Sequence, residues 1–418
     1  MSGGSGASGV SGASGVSGAS GVSGASGTAN GSQPPADEVD APPAANGGAT
    51  GALRTLIAER SIVVCCGSGG VGKTTAAGAL AVEAARLGRR VCVVTIDPAK
   101  RLADALGLDS LTNEPGRIEG DWDQPGELWA LMLDTKTTFD DLVARYAGSP
   151  EQATLILGNR LYRNIAGALS GTQEYMAMEK LYELHDAAQF DLIVVDTPPT
   201  RNALDFLDAP RRLTRFLDNR IFRLLIMPAR GSLRMVGVAT QAFLRTVSKV
   251  VGSDVVKDAV DFFVAFEGME QGFRDRAQRV LELLSEPVTA FVLLAAPRRD
   301  AIEEALFFAR RLRESDIEIE ALVVNRMHPR FGPVPSVLTG GAAGAGPAPA
   351  PSSEAAALSA LVANLRDLDR VAEREERYLK SLTRQVAPAP VVRVPLLDDD
   401  VHDLGGLRQV GCYLVGSS

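Results

Sequence analysis

Lys73, Thr74 and Asp196 are the residues whose types and settings specify a chemistry most directly. Lys73 and Thr74 fall in the run Gly67-Ser68-Gly69-Gly70-Val71-Gly72-Lys73-Thr74-Thr75, where a glycine, four residues and Gly-Lys-Thr give the spacing of a phosphate-binding loop. Glycines let such a loop curl so that successive backbone N–H groups face one phosphate chain, and the helix that follows adds partial positive charge at its N-terminus. The lysine then reaches the β- and γ-phosphates, and the threonine hydroxyl holds Mg²⁺. Asp196 closes the apolar run Leu192–Val195 and precedes Thr197-Pro198-Pro199-Thr200. A carboxylate at that place suits the water shell of the same metal ion, the arrangement called Walker B. The plainer alternatives are a ligand-free Gly-rich turn and an ordinary strand-end aspartate. A Lys-Thr pair at this spacing has no obvious packing purpose, and the two motifs support each other.

Two further residues are candidates on weaker local grounds. Asp97 ends the apolar run Val91–Ile96, ahead of Pro98-Ala99-Lys100-Arg101. Strand ends of this kind border the ligand crevice of open α/β sheets, so Asp97 is placed to position an attacking water; the rival reading is a helix N-cap. Asn325 opens Asn325-Arg326-Met327-His328-Pro329 after a late strand, and its amide offers a donor and an acceptor together, as an adenine edge requires.

These residues need a frame, and the apolar pattern supplies one. Strands are expected to end at Cys66, over Arg90–Ile96, Glu127–Leu133 and Asp191–Val195, and over Val288–Leu294, Ile319–Val324 and Val391–Val394. Ala-rich sequence from Lys73 to Leu87 reads as the helix after the phosphate loop. Helical insertions are expected over about 137–188 and 201–285. The second carries Leu213, Phe216, Leu244, Phe262, Phe266, Met269 and Phe273, which suits either a helix-bundle core or a flexible surface for apolar partners. Leu358, Leu361, Leu365, Leu379 and Leu382 mark a late amphipathic helix, and Pro395-Leu396-Leu397 leads to a short terminal one. Seven strands separated by helices predict an α/β fold: a doubly wound, mostly parallel sheet with a helical subdomain.

The 418 residues divide unevenly. Residues 1–52, built on a repeating Ser-Gly-Ala-Ser-Gly-Val unit and then Pro/Ala/Asp/Glu-rich sequence, have almost nothing to bury and read as a disordered tail. Residues 53–418 form one domain, with a mobile Gly/Ala/Pro loop over about 334–353. A net charge of −8 argues against nucleic-acid partners, whose phosphates need clustered cations. Cys65, Cys66, Cys92 and Cys412 all lie in apolar stretches, which reads as core packing in a reducing compartment, with redox or metalloid chemistry at Cys65-Cys66 the alternative. No segment has the length and apolarity of a membrane helix and no secretion signal is evident, so a cytoplasmic protein is expected.

The set Gly67–Thr75, Thr95-Ile96-Asp97-Pro98-Ala99, Asp196–Thr200, Asn325 and Pro395–Leu397, occurring in that order over roughly residues 53–418, resembles the ArsA/GET-pathway ATPases, dimeric P-loop proteins of the SIMIBI class. The resemblance implies an ATPase that uses ATP and Mg²⁺. Gly67, Ser68, Gly69, Gly70, Val71, Gly72, Lys73, Thr74 and Thr75 would hold phosphates, with Thr74 and Asp196 at the metal. Asp97 would position water, with Lys73 the second catalytic residue, and Asn325, Pro395, Leu396 and Leu397 would contact adenine. It further implies a homodimer or a heterodimer with a paralogue, and a hydrophobic protein client or membrane partner reached through the helical subdomain. Two departures stand out. Ser68 occupies the position of the family's signature lysine, for which Lys100, Arg101, Arg201 or a paralogue's residue would have to substitute. The Cys-x-x-Cys clasp of many GET-type dimers is missing. Alternative readings are a weakly or non-catalytic nucleotide-gated subunit, an arsenite or anion efflux ATPase subunit, and a partition-type ATPase, the last disfavoured by the acidic balance.

Overall fold

Apolar runs too continuous to face water on either side become the strands of a single sheet. The computed structural model describes residues 47–96, 101–120, 125–163, 172–197, 253–331 and 353–416. Its strands are β1 (Ile62–Gly67), β2 (Arg90–Thr95), β3 (Gly116–Ile118), β4 (Glu127–Met132), β5 (Leu192–Asp196), β6 (Thr289–Ala295), β7 (Ile319–Met327) and β8 (Val391–Pro395). They form one eight-stranded sheet in the order β3-β4-β2-β5-β1-β6-β7-β8, parallel throughout except where β3 meets β4. The chain leaves β1 toward β2 on one side and later builds β6, β7 and β8 on the other. The carboxyl end of β1 therefore opens onto the crevice where doubly wound sheets bind ligands.

Helices cover both faces. α1 (Gly47–Glu59), α2 (Lys73–Arg86), the short α3 (Arg101–Ala105) and the last helix, Leu404–Val415, bury Leu53, Ile57, Leu80, Leu102 and Leu407 against Val63, Cys65, Val91 and Val93. The opposite face, with Val64, Cys66, Cys92 and Val94, is covered by α4 (Thr135–Tyr146), α5 (Pro150–Gly158), α6 (Thr172–Asp186), α7 (Ser253–Ala265), α8 (Glu270–Ser285), α9 (Arg299–Glu314) and the 34-residue α10 (Ser353–Val386); the terminal helix is α11. Neighbouring residues of one strand thus serve opposite layers, the period-two geometry of a pleated chain.

The α/β architecture expected from the sequence is the one observed, with local differences. An eighth strand, β3, was not expected. It has three residues, two of them exposed, too few to generate a burial pattern. β7 runs three residues beyond Val324, after a register shift against β8, so Asn325 lies within the strand. α1 starts at Gly47, inside the stretch whose composition reads as a tail, and Leu53 and Ile57 anchor that helix to the core. The first helical insertion is broken by capping. Asp134 accepts from the Thr137 N–H to start α4, and Ser149 accepts from the Gln152 N–H to start α5, with Pro150 at its first position. Along α7, α8 and the turn between them, Phe262, Phe266, Met269 and Phe273 are buried, and the three phenylalanines join Tyr146 and Tyr162 in one aromatic cluster. Here the apolar residues are core. Leu213, Phe216, Leu244, the tail through residue 46, and residues 332–352 lie outside the described residues, as does Arg201. Among the described residues no helix is long and apolar enough to cross a membrane.

Candidate functional site

The register of three strands sets the floor of the site. Asp196 on β5 pairs with Cys65 on β1 and with Thr95 on β2, so a carboxylate, the end of the first strand and a hydroxyl stand abreast at the carboxyl edge of the sheet. Asp196 is fully buried. Its Oδ2 accepts from Thr74 Oγ1 at 2.8 Å and from Thr95 Oγ1 at 3.0 Å. Thr197 Oγ1 donates to the Cys65 carbonyl at 2.8 Å, tying the residue after the carboxylate back to β1. Burial, with the Asp196 carboxylate beside it, pushes the Cys65 thiol up, and burial likewise raises Cys66 and Cys92. These cysteines behave as small core residues. That is the opposite of the low-pKa setting that favours a thiolate ligand or nucleophile.

The loop from β1 to α2 curls above this floor. Gly70 and Gly72 adopt φ of 74° and 89°, the left-handed region in which glycine carries no steric cost, and their alternation with ordinary residues turns backbone N–H groups toward a common centre. Gly72 caps α2 and offers no side chain to its first N–H groups, which leaves that end of the helix suited to an anion. Lys73 is 6% exposed, its Nζ donating to the Ser68 carbonyl at 2.9 Å. Ser68 is equally buried, with a hydroxyl that has no hydrogen-bond partner among the described residues.

From the far side of the sheet, β7 reaches the same loop. Asn325 Nδ2 donates to the Val71 carbonyl at 3.0 Å and Arg326 Nη1 donates to the Gly70 carbonyl at 3.2 Å. The segment between β8 and α11 closes the remaining wall. Together these elements enclose a cavity of about 590 Å³. Gly70, Gly72, Lys73, Thr74 and Thr75 line one side of it, and Asn325, Pro395, Leu396 and Leu397 another. Residues far apart in the chain but singled out from sequence therefore meet at one opening. Of the other loop residues, Gly67 and Val71 are buried behind the wall and Gly69 is exposed. Asp97 and Lys100 lie outside the described residues.

The sequence reading missed several participants. Thr95 opens one of the motifs behind the resemblance but is assigned no role there; its place at a strand end gains meaning from the neighbouring β5. Arg326, Asp104, Asp399, Asp400 and His402 also line the cavity. None belongs to a recurrent spacing, although Arg326 adjoins a singled-out asparagine. Arg101, raised as a substitute cation, is at the wall as well. The oxygen set of Thr74, at the cavity wall, and Asp196, buried directly behind it, fits a hard divalent cation such as Mg²⁺.

Comparison with known proteins bears on the same residues. The family described as anion-transporting ATPase matches residues 60–331. The putative arsenical pump-driving ATPase 1 of Aquifex aeolicus is 23% identical over 364 residues, which is 85% of this chain and 78% of that protein. ATPase GET3 of Phaeosphaeria nodorum is 24% identical over 267 residues, 62% of this chain and 74% of that protein. ATPase GET3A of Arabidopsis thaliana is 26% identical over 264 residues, 62% of this chain and 65% of that protein. Because the matched span contains the phosphate loop, the Thr74–Asp196 pair and Asn325, family and geometry converge: the chain is an ATPase and belongs to the ArsA-type anion-transporting ATPase family.

Proposed function

We propose that the chain binds and hydrolyses Mg-ATP at the cavity beside β1, and that its nucleotide state governs a dimer and the access of a hydrophobic client to its helical subdomain. The observation that carries the nucleotide part is the convergence of Gly70, Gly72, Lys73, Thr74 and Thr75 with the Pro395–Leu397 wall on one cavity of about 590 Å³, with the buried Asp196 hydrogen-bonded to Thr74 behind that lining. The backbone N–H groups from Gly70 to Thr75 and the Lys73 ammonium take the phosphates, and the apolar wall of Pro395, Leu396 and Leu397 takes the adenine. Thr74 and Asp196 would hold Mg²⁺, which when bound neutralises charge on the phosphate oxygens. Asp97, two residues after β2 in the sequence, orients the attacking water by accepting its hydrogen bond. Stabilisation of the transferring phosphoryl group falls to Lys73 and to the loop N–H groups.

Ser68 bears on the partner. Serine carries no charge and its hydroxyl here is buried, so any cation that crosses between two subunits comes from another residue or from a paralogue. That supports a second reading, in which the chain is the slower subunit of a heterodimer. The cargo is open between an anion, which fits the name of the arsenical pump-driving relative, and the hydrophobic client that the GET-pathway resemblance implies. Action in the cytoplasm accords with both.

Two variants test the reading. Asp97→Asn keeps ATP affinity and loses most turnover in a phosphate-release assay; wild-type turnover would remove Asp97 from the mechanism. Lys73→Ala weakens ATP binding measured by calorimetry, and undiminished affinity would sink the phosphate-loop assignment. Single-turnover measurement of the chain alone, and then with its paralogue, separates a homodimer from a partnered subunit.

A further inference from the structure

β7 holds the phosphate loop by its carbonyls. Asn325 Nδ2 takes the Val71 carbonyl and Arg326 Nη1 takes the Gly70 carbonyl, at 3.0 and 3.2 Å. The Arg326 backbone N–H donates to Asn325 Oδ1 at 2.9 Å, which fixes the end of the amide that faces the loop. In a planar trans peptide, the C=O of one residue and the N–H of the next point in opposite directions. Drawing the Gly70 and Val71 carbonyls toward β7 therefore turns the N–H groups of Val71 and Gly72 away from it, the sense a phosphate ligand needs.

Two details show that this contact is built. Arg326 has φ of 61°, one of three left-handed non-glycine residues among those described, and it sits where β7 slips register against β8. Backbone strain of this kind persists where surroundings over-determine it, commonly at functional sites. Facing it, a Cβ at Gly72 would lie 2.2 Å from Asn325 Nδ2, so the amide has its seat only because residue 72 is glycine.

We propose that Asn325 and Arg326 are positioning residues, a two-point clasp that presets the N–H groups of Val71 and Gly72 for phosphate; Asn325 thereby serves the loop more than the nucleobase. The proposal rests on the nucleotide-binding reading above. It predicts a loss that is blind to the base, because the clasp acts on the phosphate end of the ligand.

The test is calorimetry of the full chain with two probes, ADP and base-free tripolyphosphate. Asn325→Ala should weaken both by a common factor of about ten, the order of one lost hydrogen bond. Arg326→Gly keeps the left-handed backbone and should weaken both by about three- to fivefold, while Arg326→Lys, which retains a donor, recovers most of that loss. Thermal melting gives the discriminating readout. Arg326→Gly relieves strain, so its melting temperature stays level or rises while binding falls, whereas a merely structural residue would lower both. A loss confined to ADP would assign Asn325 to the base and overturn the clasp, as would wild-type affinity for both probes in both variants. If the unmodified chain bound neither probe, the nucleotide reading itself would fall, and the clasp with it.

Discussion

Replacing Gly72 by alanine isolates the geometry of the phosphate loop. The residue has φ of 89° and ψ of 31°, a conformation that costs an L-residue roughly 1–2 kcal/mol. The new methyl also lies 2.2 Å from Asn325 Nδ2, so the amide must withdraw and give up its bond to the Val71 carbonyl, about 0.5–1.5 kcal/mol. The two effects act on one element and sum to about 1.5–3.5 kcal/mol against the binding-competent loop, or about 10- to 400-fold in ADP affinity. Calorimetry with ADP, paired with urea unfolding, reads the two consequences separately. Gly107→Ala is the matched control: φ is 70° there, but open space surrounds the Cβ position, so it bears the conformational cost without touching the loop. It should lose stability and keep ADP affinity. Wild-type affinity in Gly72→Ala, or an equal loss in Gly107→Ala, would refute the view that the close contact between Gly72 and Asn325 shapes the site.

Two further predictions concern the body of the protein. Arg276 on α8 and Glu179 on α6 form an ion pair with side chains 5% and 1% exposed; Arg276 Nε lies 2.6 Å from Glu179 Oε1, and the guanidinium sits 3.8 Å above the Tyr182 ring. Burial pushes the Glu179 carboxyl up even though Arg276 opposes it. Arg276→Leu should cost about 3–5 kcal/mol in urea denaturation by stranding the carboxylate, and adding Glu179→Leu should recover much of that loss. Equal destabilisation of single and double variants would show that packing, not charge, sets the cost. The buried thiols give an alkaline limit. Burial holds the Cys92 thiol protonated until about pH 12 in the fold, against 9.0 for the exposed group. Between those values the unfolded chain binds fewer protons than the native one, so stability falls as pH rises above about 9. Melting curves from pH 8 upward should show this decline, and Cys92→Ala, although less stable at pH 8, should show a shallower one. Identical slopes would contradict the buried, neutral thiol.

What the sequence determined by itself was local. A phosphate loop is written in consecutive residues, and a strand buried on both faces is a continuous apolar run, so Gly67–Thr75, β1, β2, β5 and Asp196 could be read directly. Helix caps were equally local, but Asp134 stood at the end of an expected strand and Ser149 was hidden inside a long stretch of helical periodicity. The tertiary structure alone decided what depends on register and strand order. The parallel pairing of β2, β5 and β1 makes a neighbour of Thr95 and Asp196, and the placing of β7 beyond β6 brings Asn325 and Arg326 onto the carbonyls of Gly70 and Val71. The charged partners Arg276 and Glu179, 97 residues apart, meet for the same reason. Local motifs carry their geometry in the chain's own spacing. Contacts across the sheet arise from the packing of helices and strands around a shared core, to which no short spacing corresponds.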